Sequence, residues 1–246
     1  MLRESQDAFG HAFLDCLNGD REAAVTIDRD DGLSQDDVGC RVYFGEYDEW
    51  SPHLKKAIEY ARGRVLDVGC GAGRHSLYLQ GKGHEVVGID ESALAVQICR
   101  TRGVVDARQM SLTQLSSKLG VFDTVLMMGN NFGLVSNPTR ARWFLKRLHS
   151  MTSSEARIIA ETLDPCATSD PRHLAYHERN RQRGRLPGQV RIRVAYKQYR
   201  TSWFDLLLVT RAELEAIVQG TGWRIGEYVD SGGPGYVAVI VKVAKG

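Results

Sequence analysis

From Arg64 onward short apolar runs alternate with amphipathic stretches, and that rhythm admits few folds. RVLDVG precedes a helical pattern from Gly73, HEVVGID one from Ser92, VVDARQM a short one, and FDTVLMMGN one from Pro138 before ARIIAETL. The runs are almost continuously apolar, as strands covered on both faces must be. Strand–helix alternation of this kind calls for a parallel sheet with right-handed crossovers. The rhythm lapses after Leu163 and resumes at WFDLLLV. TRAELEAIVQGTG follows, with Thr210 and Glu213 at capping-box spacing and Gly220 suited to a helix stop. WRIGEYVD and YVAVIVKV, joined by SGGPG, read as an antiparallel pair. The pattern predicts an α/β fold of five parallel strands and a terminal antiparallel hairpin.

Upstream, Phe9, Ala12, Phe13, Cys16 and Leu17 fall at helical spacing, which predicts a helix from Glu4 to Leu17. The acidic stretch VTIDRDDGLSQDDVG reads as loop. RVYFGEYDEW gathers Tyr43, Phe44, Tyr47 and Trp50. Ser51 as N-cap and Pro52 as first helical residue then open a helix through Tyr60. At 246 residues, 43% hydrophobic and 25% charged, the chain fits an ordinary soluble protein. It has no apolar run near the ~20 residues of a membrane span, and its start lacks the apolar core of a secretory signal. Five cysteines without CxxC or Cys/His ligand spacing predict reduced thiols in the cytoplasm and no metal site. Net charge is +2 but unevenly spread. Residues 1–50 hold thirteen acids against four basic residues, whereas Arg172 to Arg200 contains eight arginines, Lys197 and a single acid, Glu178.

The chemistry concentrates in Val65-Leu66-Asp67-Val68-Gly69-Cys70-Gly71-Ala72-Gly73, between a strand and a helix. Glycines there allow a tight turn and close approach of a ligand, and the following helix aims its first amides over the turn. Nicotinamide and flavin enzymes use such turns too, but their fingerprint wants a third glycine where this chain has Arg74. Asp67, two residues before the first glycine, is placed to meet a cationic ligand group. Asp90 ends HEVVGID at the carboxyl tip of the neighbouring strand, where an acid can take both hydroxyls of a ribose. Its alternative role is as an acid stabilised at a helix N-terminus.

VLDVGCGAG followed by VVGID resembles the first two motifs of the class I S-adenosylmethionine-dependent methyltransferases. FDTVLMMGN resembles their fourth strand, and WFDLLLVTRAEL with GTGW and the final hairpin their C-terminal half. The resemblance covers roughly residues 51–164 and 204–246. It implies a doubly wound, mixed seven-stranded sheet in the order 3-2-1-4-5-7-6 with the last strand antiparallel, and S-adenosyl-L-methionine across the carboxyl ends of strands one to four. The whole of 1–246 then forms one methyltransferase domain: an N-terminal helical lid (1–50), the core (51–164 and 204–246) and a substrate-side insertion after strand five (165–203). Carried over by motif, Asp67, Gly69, Cys70, Gly71 and Gly73 shape the pocket for the methionine portion and ribose. Asp90 binds the ribose hydroxyls, Glu91 lines the adenine, and Met110 and Ser111 stand where the family often has an acid facing the adenine amine. Asn130, with Asn131 beside it, follows the fourth strand and faces the sulfonium and acceptor; the alternative for both is a turn pair. The prolines of amine-methylating nucleobase enzymes and the Pro-Cys of cytosine C5 enzymes are missing at this point.

Methyl transfer from a sulfonium needs alignment above all, and a base only where the acceptor must lose a proton. Candidates are Glu161 at the end of the fifth strand, and His173 and His177 in the stretch that follows, with surface loop residues as the alternative for the histidines. Tyr43, Tyr47 and Trp50 could pack over the sulfonium by cation–π contact, or form an apolar seam under the first helix. Tyr176 and Arg181 belong to the acceptor side. The arginine block could hold an anionic acceptor, or pair with the acidic N-terminal region within the chain or across a homodimer. Nucleic-acid contact is disfavoured by thin aromatic interleaving (Tyr176, Tyr196, Tyr199). The expected activity is methylation of a small-molecule O or N acceptor. Its rivals are RNA or protein methylation through the arginine-rich insertion, a nicotinamide oxidoreductase, and a non-catalytic S-adenosylmethionine-binding module.

Overall fold

The apolar runs become strands wherever β-branched and aliphatic residues can be covered on both sides. In a computed structural model that describes residues 2–37 and 39–243, β3 (Val65–Val68) is buried along its whole length. It pairs in parallel with β4 (Val86–Asp90), and β4 with β5 (Asp106–Gln109). β6 (Phe122–Met127) pairs in parallel with β7 (Thr152–Leu163). The hairpin of β11 (Trp223–Asp230) and β12 (Gly235–Lys242) is antiparallel, and β12 lies antiparallel against β7. Strand order in this seven-stranded sheet is β11-β12-β7-β6-β3-β4-β5, the mixed arrangement expected from the motifs.

The helices start where the sequence offers caps. Asp7 accepts from the Gly10 amide at 2.9 Å and opens α1 (Ala8–Leu17), after a single 3-10 turn over Glu4–Gln6. α2 (Arg41–Phe44) is one turn long, and α3 (Pro52–Ile58) has its proline in the first turn. α4 (Arg74–Gly81) follows the glycine turn, α5 (Ala93–Thr101) is capped by Ser92, and α6 (Pro138–Ser150) by Asn137. α7 (Pro171–Gln182) is capped by Asp170. α8 (Arg211–Val218) carries the predicted capping box, with Thr210 and Glu213 each accepting the other's amide.

Two expectations fail. The acidic stretch read as loop forms β1 (Thr26–Arg29) and β2 (Ser34–Asp36), and the insertion supplies α7, β8 (Gln189–Tyr196) and β9 (Tyr199–Arg200). WFDLLLV, where the alternation was read as resuming, yields β10 (Phe204–Leu207) of a second sheet ordered β10-β8-β1-β2, with β9 on β8. The reason is charge pairing across strands. Asp28 stands opposite Arg193 in the register and accepts from its Nε at 2.9 Å, while Ser34 and Thr26 reach Asp28 and Asp36. A strand held by cross-strand polar pairs shows little apolar alternation. The cysteine expectation also changes: Cys16 and Cys40 form a disulfide, while Cys70, Cys99 and Cys166 are free thiols.

The described residues pack as two compact units. The first comprises 2–37, 39–50, 63–115 and 191–204, and the second 51–62, 116–190 and 205–243. In the first, Cys70, Val96, Cys99, Val104 and Ala107 form a core cluster beneath the glycine turn. In the second, Leu126, Leu145, Ile158, Ile159 and Val237 are fully buried, and Trp223 donates its indole N–H to the Leu145 carbonyl at 2.8 Å. No helix among the described residues is long and apolar enough to cross a membrane.

Within the second unit the first part of the insertion is fixed at Gly188. Its carbonyl accepts from the Leu208 amide at 2.8 Å, and a Cβ there would lie 2.2 Å from the Leu208 oxygen and 2.7 Å from Pro165 Cγ. Gly188→Ala is therefore expected to lower unfolding free energy by about 3 kcal/mol in urea titration. Gly81→Ala, where a Cβ meets nothing within 4 Å, serves as control and should change it by less than about 1 kcal/mol. Equal effects would remove the close contact as the cause.

Candidate functional site

In the first unit the chain leaves β3 through three glycines held in left-handed backbone: Gly69 at φ 70°, Gly71 at 55° and Gly73 at 84°. Gly69 and Cys70 both donate their amides to the Ile89 carbonyl, at 2.8 and 3.0 Å, so the turn is hung from the end of β4. A Cβ at Gly73 would stand 2.9 Å from Cys99 Sγ and from Val104 Cγ2, which explains the residue from packing as well as from φ. Cys70 takes part through its backbone. Its side chain is buried with Sγ 3.7 Å from Cys99 Sγ, and that contact together with burial pushes its thiol well up.

Asp90 ties the turn to the start of α5. Its Oδ2 accepts from the Gly71 amide at 3.0 Å and its Oδ1 from the Ser92 amide at 2.9 Å. Burial of the carboxyl outweighs these two amides and pushes it up to about 6. Asp67, 2% exposed, receives the Ser76 hydroxyl at 2.6 Å and is likewise pushed up to about 6 by burial. The Met110 amide donates to the Asp90 carbonyl at 2.8 Å, which brings Met110 and Ser111 beside the β4 tip. Glu91 is exposed, and its carbonyl accepts from the Gln109 side chain at 3.2 Å.

The aromatic segment divides. Tyr43 would lie 4.0 Å from a Cβ at Gly71 and donates its hydroxyl to Asp37 at 2.6 Å. Tyr47 instead stacks on Tyr78 of α4 at 4.5 Å. Trp50 is buried, donates to the Gly45 carbonyl at 2.9 Å and meets His75 edge-on at 4.8 Å. Tyr47 and Trp50 thus pack on α4, whereas Tyr43 meets Phe9 and Phe13 of α1, the seam under the first helix that was the alternative reading. His75 itself went unnoticed in the sequence. It is 7% exposed, its Nε2 has no hydrogen-bond partner among the described residues, and burial holds the imidazole well below its usual range, hence neutral. Its only sequence signal is its place directly after the glycine turn.

In the second unit β6 ends in a turn with Gly129 at φ 66° and Asn130 at φ 62°. Asn130 thus adopts the left-handed conformation of the turn reading, and Asn131 begins a 3-10 turn through Val135. Glu161, near the end of β7, accepts the Gly129 amide on Oε2 at 2.6 Å. Its Oε1 stands 3.9 Å from Nε2 of His53 on α3, a residue that no local pattern marks. His173, Tyr176 and His177 lie on α7 rather than on a loop, with Tyr176 and His177 buried and the Arg179 guanidinium 4.5 Å over the Tyr176 ring.

The arginine block is largely paired with acids. Arg172 meets Asp170 at 2.7 Å, Arg181 meets Glu178 at 3.5 Å, and Arg185 meets Asp205 at 3.4 Å, all within the second unit. In the first unit Arg193 meets Asp28 at 2.9 Å and Lys197 meets Asp15 at 2.6 Å, so part of the block does pair with the acidic N-terminal region.

Residues 65–154, which hold the glycine turn, Asp90 and the Asn130 turn, match a family model described as a methyltransferase domain. A tRNA U34 carboxymethyltransferase of Psychromonas ingrahamii is 38% identical over 94 residues, 34% of this chain and 27% of that protein. A 2-heptyl-1-hydroxyquinolin-4(1H)-one methyltransferase of Mycobacteroides abscessus is 30% identical over 90 residues, 36% of this chain and 38% of that protein. The chain therefore spans well under half the length of these relatives. Among solved structures, a SAM-dependent methyltransferase of Bacteroides fragilis in complex with S-adenosyl-L-homocysteine superposes with a TM-score of 0.83 at 24% identity, covering 99% of this chain and 98% of that one.

Asp67 gives a pH signature. Its carboxyl sits at about 6 when folded against an ordinary 3.8, so the folded state holds a proton that the unfolded state has lost. The stability this contributes is complete below about pH 4 and gone once pH rises through about 6, a change of about 3 kcal/mol. Relative to Asp67→Asn, which still accepts from Ser76, the wild-type chain should lose that amount between pH 4 and 7 in parallel urea titrations. A stability difference that stays constant across the range would refute the assignment.

Proposed function

We propose that this chain, which carries a methyltransferase domain on the class I S-adenosylmethionine-dependent methyltransferase fold, methylates a small-molecule acceptor with S-adenosylmethionine as donor. The observation that carries the reading is Asp90, a half-buried residue whose carboxylate is fixed at both oxygens by backbone amides directly beside the Gly71 turn. Each carboxylate oxygen has a second lone-pair site, so Asp90 can still take the two hydroxyls of a ribose. The residues present fit an adenosyl group: left-handed glycines keep the turn free of side chains, and Met110 stands at the β4 tip with Asp90.

The donor supplies an activated methyl on sulfur, so the protein's task is to position and to handle a proton. In the first unit Asp90 orients the ribose, the glycine turn gives room for the methionine portion, and Asp67 braces the turn through Ser76. In the second unit Glu161 is the base we assign, held at Oε2 by the Gly129 amide and facing His53 through Oε1. A carboxylate fixed at one oxygen keeps the other for a proton from an O–H or N–H acceptor. Asn130 presents its side chain from the same turn as Gly129. The relatives' names pair the domain with acceptors as different as a tRNA and a hydroxyquinolinone. A small molecule is favoured because Arg172, Arg181, Arg185 and Arg193 are already paired with acids, which leaves less free positive charge for phosphates.

Calorimetric titration with S-adenosylhomocysteine, with NADH as control ligand, tests the donor half. Asp90→Ala should weaken binding by about 100-fold, the loss of two hydrogen bonds to a charged group. Because the ribose needs the ionised carboxylate, wild-type affinity should hold above about pH 7 and be about tenfold weaker at pH 5. An unchanged dissociation constant in Asp90→Ala would end the assignment. For the acceptor half, formation of S-adenosylhomocysteine is followed with a panel of phenol, hydroxyquinolinone and amine acceptors. Glu161→Gln, which still accepts the Gly129 amide, should lower kcat by about 100-fold while leaving S-adenosylhomocysteine affinity intact. Full turnover in that variant would exclude Glu161 as base, and absence of turnover with every acceptor would favour a binding module.

A further inference from the structure

Two segments cover the Gly71 turn, and one covalent bond joins them. α1 brings Phe13, whose ring would lie 3.5 Å from a Cβ at Gly71, and α2 brings Tyr43, at 4.0 Å. The segments meet ring against ring, with centroids 4.9 Å apart for Phe13 and Tyr43, 5.9 Å for Phe9 and Tyr43, and 6.2 Å for Phe13 and Phe44. Each segment also has its own anchor. Asp7, the cap of α1, accepts the Ser92 hydroxyl at 2.7 Å, next to Asp90. Arg74 donates to the Val42 carbonyl at 2.6 Å, and Arg102 to the Phe44 carbonyl at 3.2 Å with its guanidinium 4.7 Å over the Phe44 ring. Cys16 lies in the last turn of α1, one turn beyond Phe13, and Cys40 is the residue before α2, one turn ahead of Tyr43 and Phe44. Their disulfide is a second rung between the same two segments.

We propose that Cys16–Cys40 is a reversible thiol–disulfide site, with a dithiol as its reductant, and that the closed bond holds the aromatic strap in the arrangement that binds the methyl donor. This rests on the S-adenosylmethionine reading above. A thiolate of the reductant attacks Cys16 Sγ, because Cys16 is partly exposed whereas Cys40 is 2% exposed. The Cys16–Cys40 bond breaks, a mixed disulfide forms on Cys16, and Cys40 leaves as thiolate and takes a proton. The reductant's second thiol then attacks the mixed disulfide and releases Cys16 as a thiol. Two electrons and two protons pass to the chain, and the reductant ends as a disulfide. The released Cys40 thiol has acceptors at hand in the carbonyls of Asp20 at 3.5 Å and Arg21 at 3.8 Å, so the reduced state buries no unsatisfied group there.

Opening the bond returns conformational freedom to residues 17–39. The ring contacts, the packing of Cys40 on Ala8 and Ala12, and the separate anchors of each segment then hold the strap over Gly71 without a covalent tie. A smaller fraction of molecules keeps the binding arrangement, and apparent affinity falls by that fraction. Among the described residues Cys16–Cys40 is the one reducible bond, since Cys70, Cys99 and Cys166 are free.

The test is calorimetric titration with S-adenosylhomocysteine on a Cys166→Ser background, which removes the exposed thiol. The chain is prepared once in oxidised glutathione and once in a phosphine reductant, and intact mass after alkylation counts the free thiols. We expect affinity to be about tenfold or more weaker in the reduced chain. Cys16→Ser should show the same weak binding in both conditions. Affinity equal within about twofold in the two states, or tighter in the reduced one, overturns the inference. Full alkylation of Cys16 and Cys40 in the oxidised preparation does so as well. If Cys16→Ser does not fold, the reduced wild-type sequence carries the comparison, with circular dichroism showing that it stays folded. Absence of binding in both states removes the donor reading itself, whereas equal binding removes only the redox site.

Discussion

The Asp90 carboxylate is the point on which the first unit turns. It sits at the tip of β4, yet its two oxygens fix the amides of Gly71, in the preceding turn, and of Ser92, at the start of α5. Removing a carboxylate from water opposes its charge, and the amides only partly offset this, which is why it is pushed up to about 6. A group held in this way is strained electrostatically until further donors reach it. In the function proposed for this chain, the hydroxyl pair of a ribose would supply such donors, and the cost of burying Asp90 in the free protein would return as pH-sensitive affinity.

Asp67 shows that an equal shift need not mean an equal role. Both carboxyls are pushed up to about 6 by burial. Asp67, however, lies inside a fully buried strand and has the Ser76 hydroxyl as its partner, so it braces α4 against β3. Asp90 lies at the strand end with exposed surface. The sequence places both acids near the turn but cannot separate them, because their difference is one of depth in the sheet rather than of spacing.

Legibility follows the range of the interactions. The main sheet was readable because each strand is a local apolar run and each helix has a local cap, as at Ser92, Asn137 and Thr210. The glycine turn was readable because the φ angles of Gly69, Gly71 and Gly73 are a local demand. The second sheet was not, since β1 and β8 are held by pairs such as Asp28 with Arg193, far apart in sequence. The same holds for the disulfide, for His75 with its orphaned nitrogen, and for His53 opposite Glu161. Each acquires meaning only from a neighbour that no local window contains. The loop alternative for the histidines of the insertion fails for a related reason: α7 has so few apolar residues that its burial of Tyr176 and His177 leaves no periodic trace.

That difference in range also explains why the donor is easier to name than the acceptor. Everything assigned to the donor, apart from the strap above it, lies between Asp67 and Ser111, inside the stretch that matches the methyltransferase domain. The residues proposed for the acceptor come from α3, the β6 turn, β7 and α7, most of them outside that stretch. Adenosyl recognition needs one turn, one acid and a short reach of backbone, so a contiguous segment can carry it into proteins of very different acceptors. An acceptor pocket has to match a shape, and shape is drawn from wherever the chain passes. The strap belongs to this second kind: Phe13 and Tyr43 lie outside the matched residues, and so does the Cys16–Cys40 bond that ties their segments together.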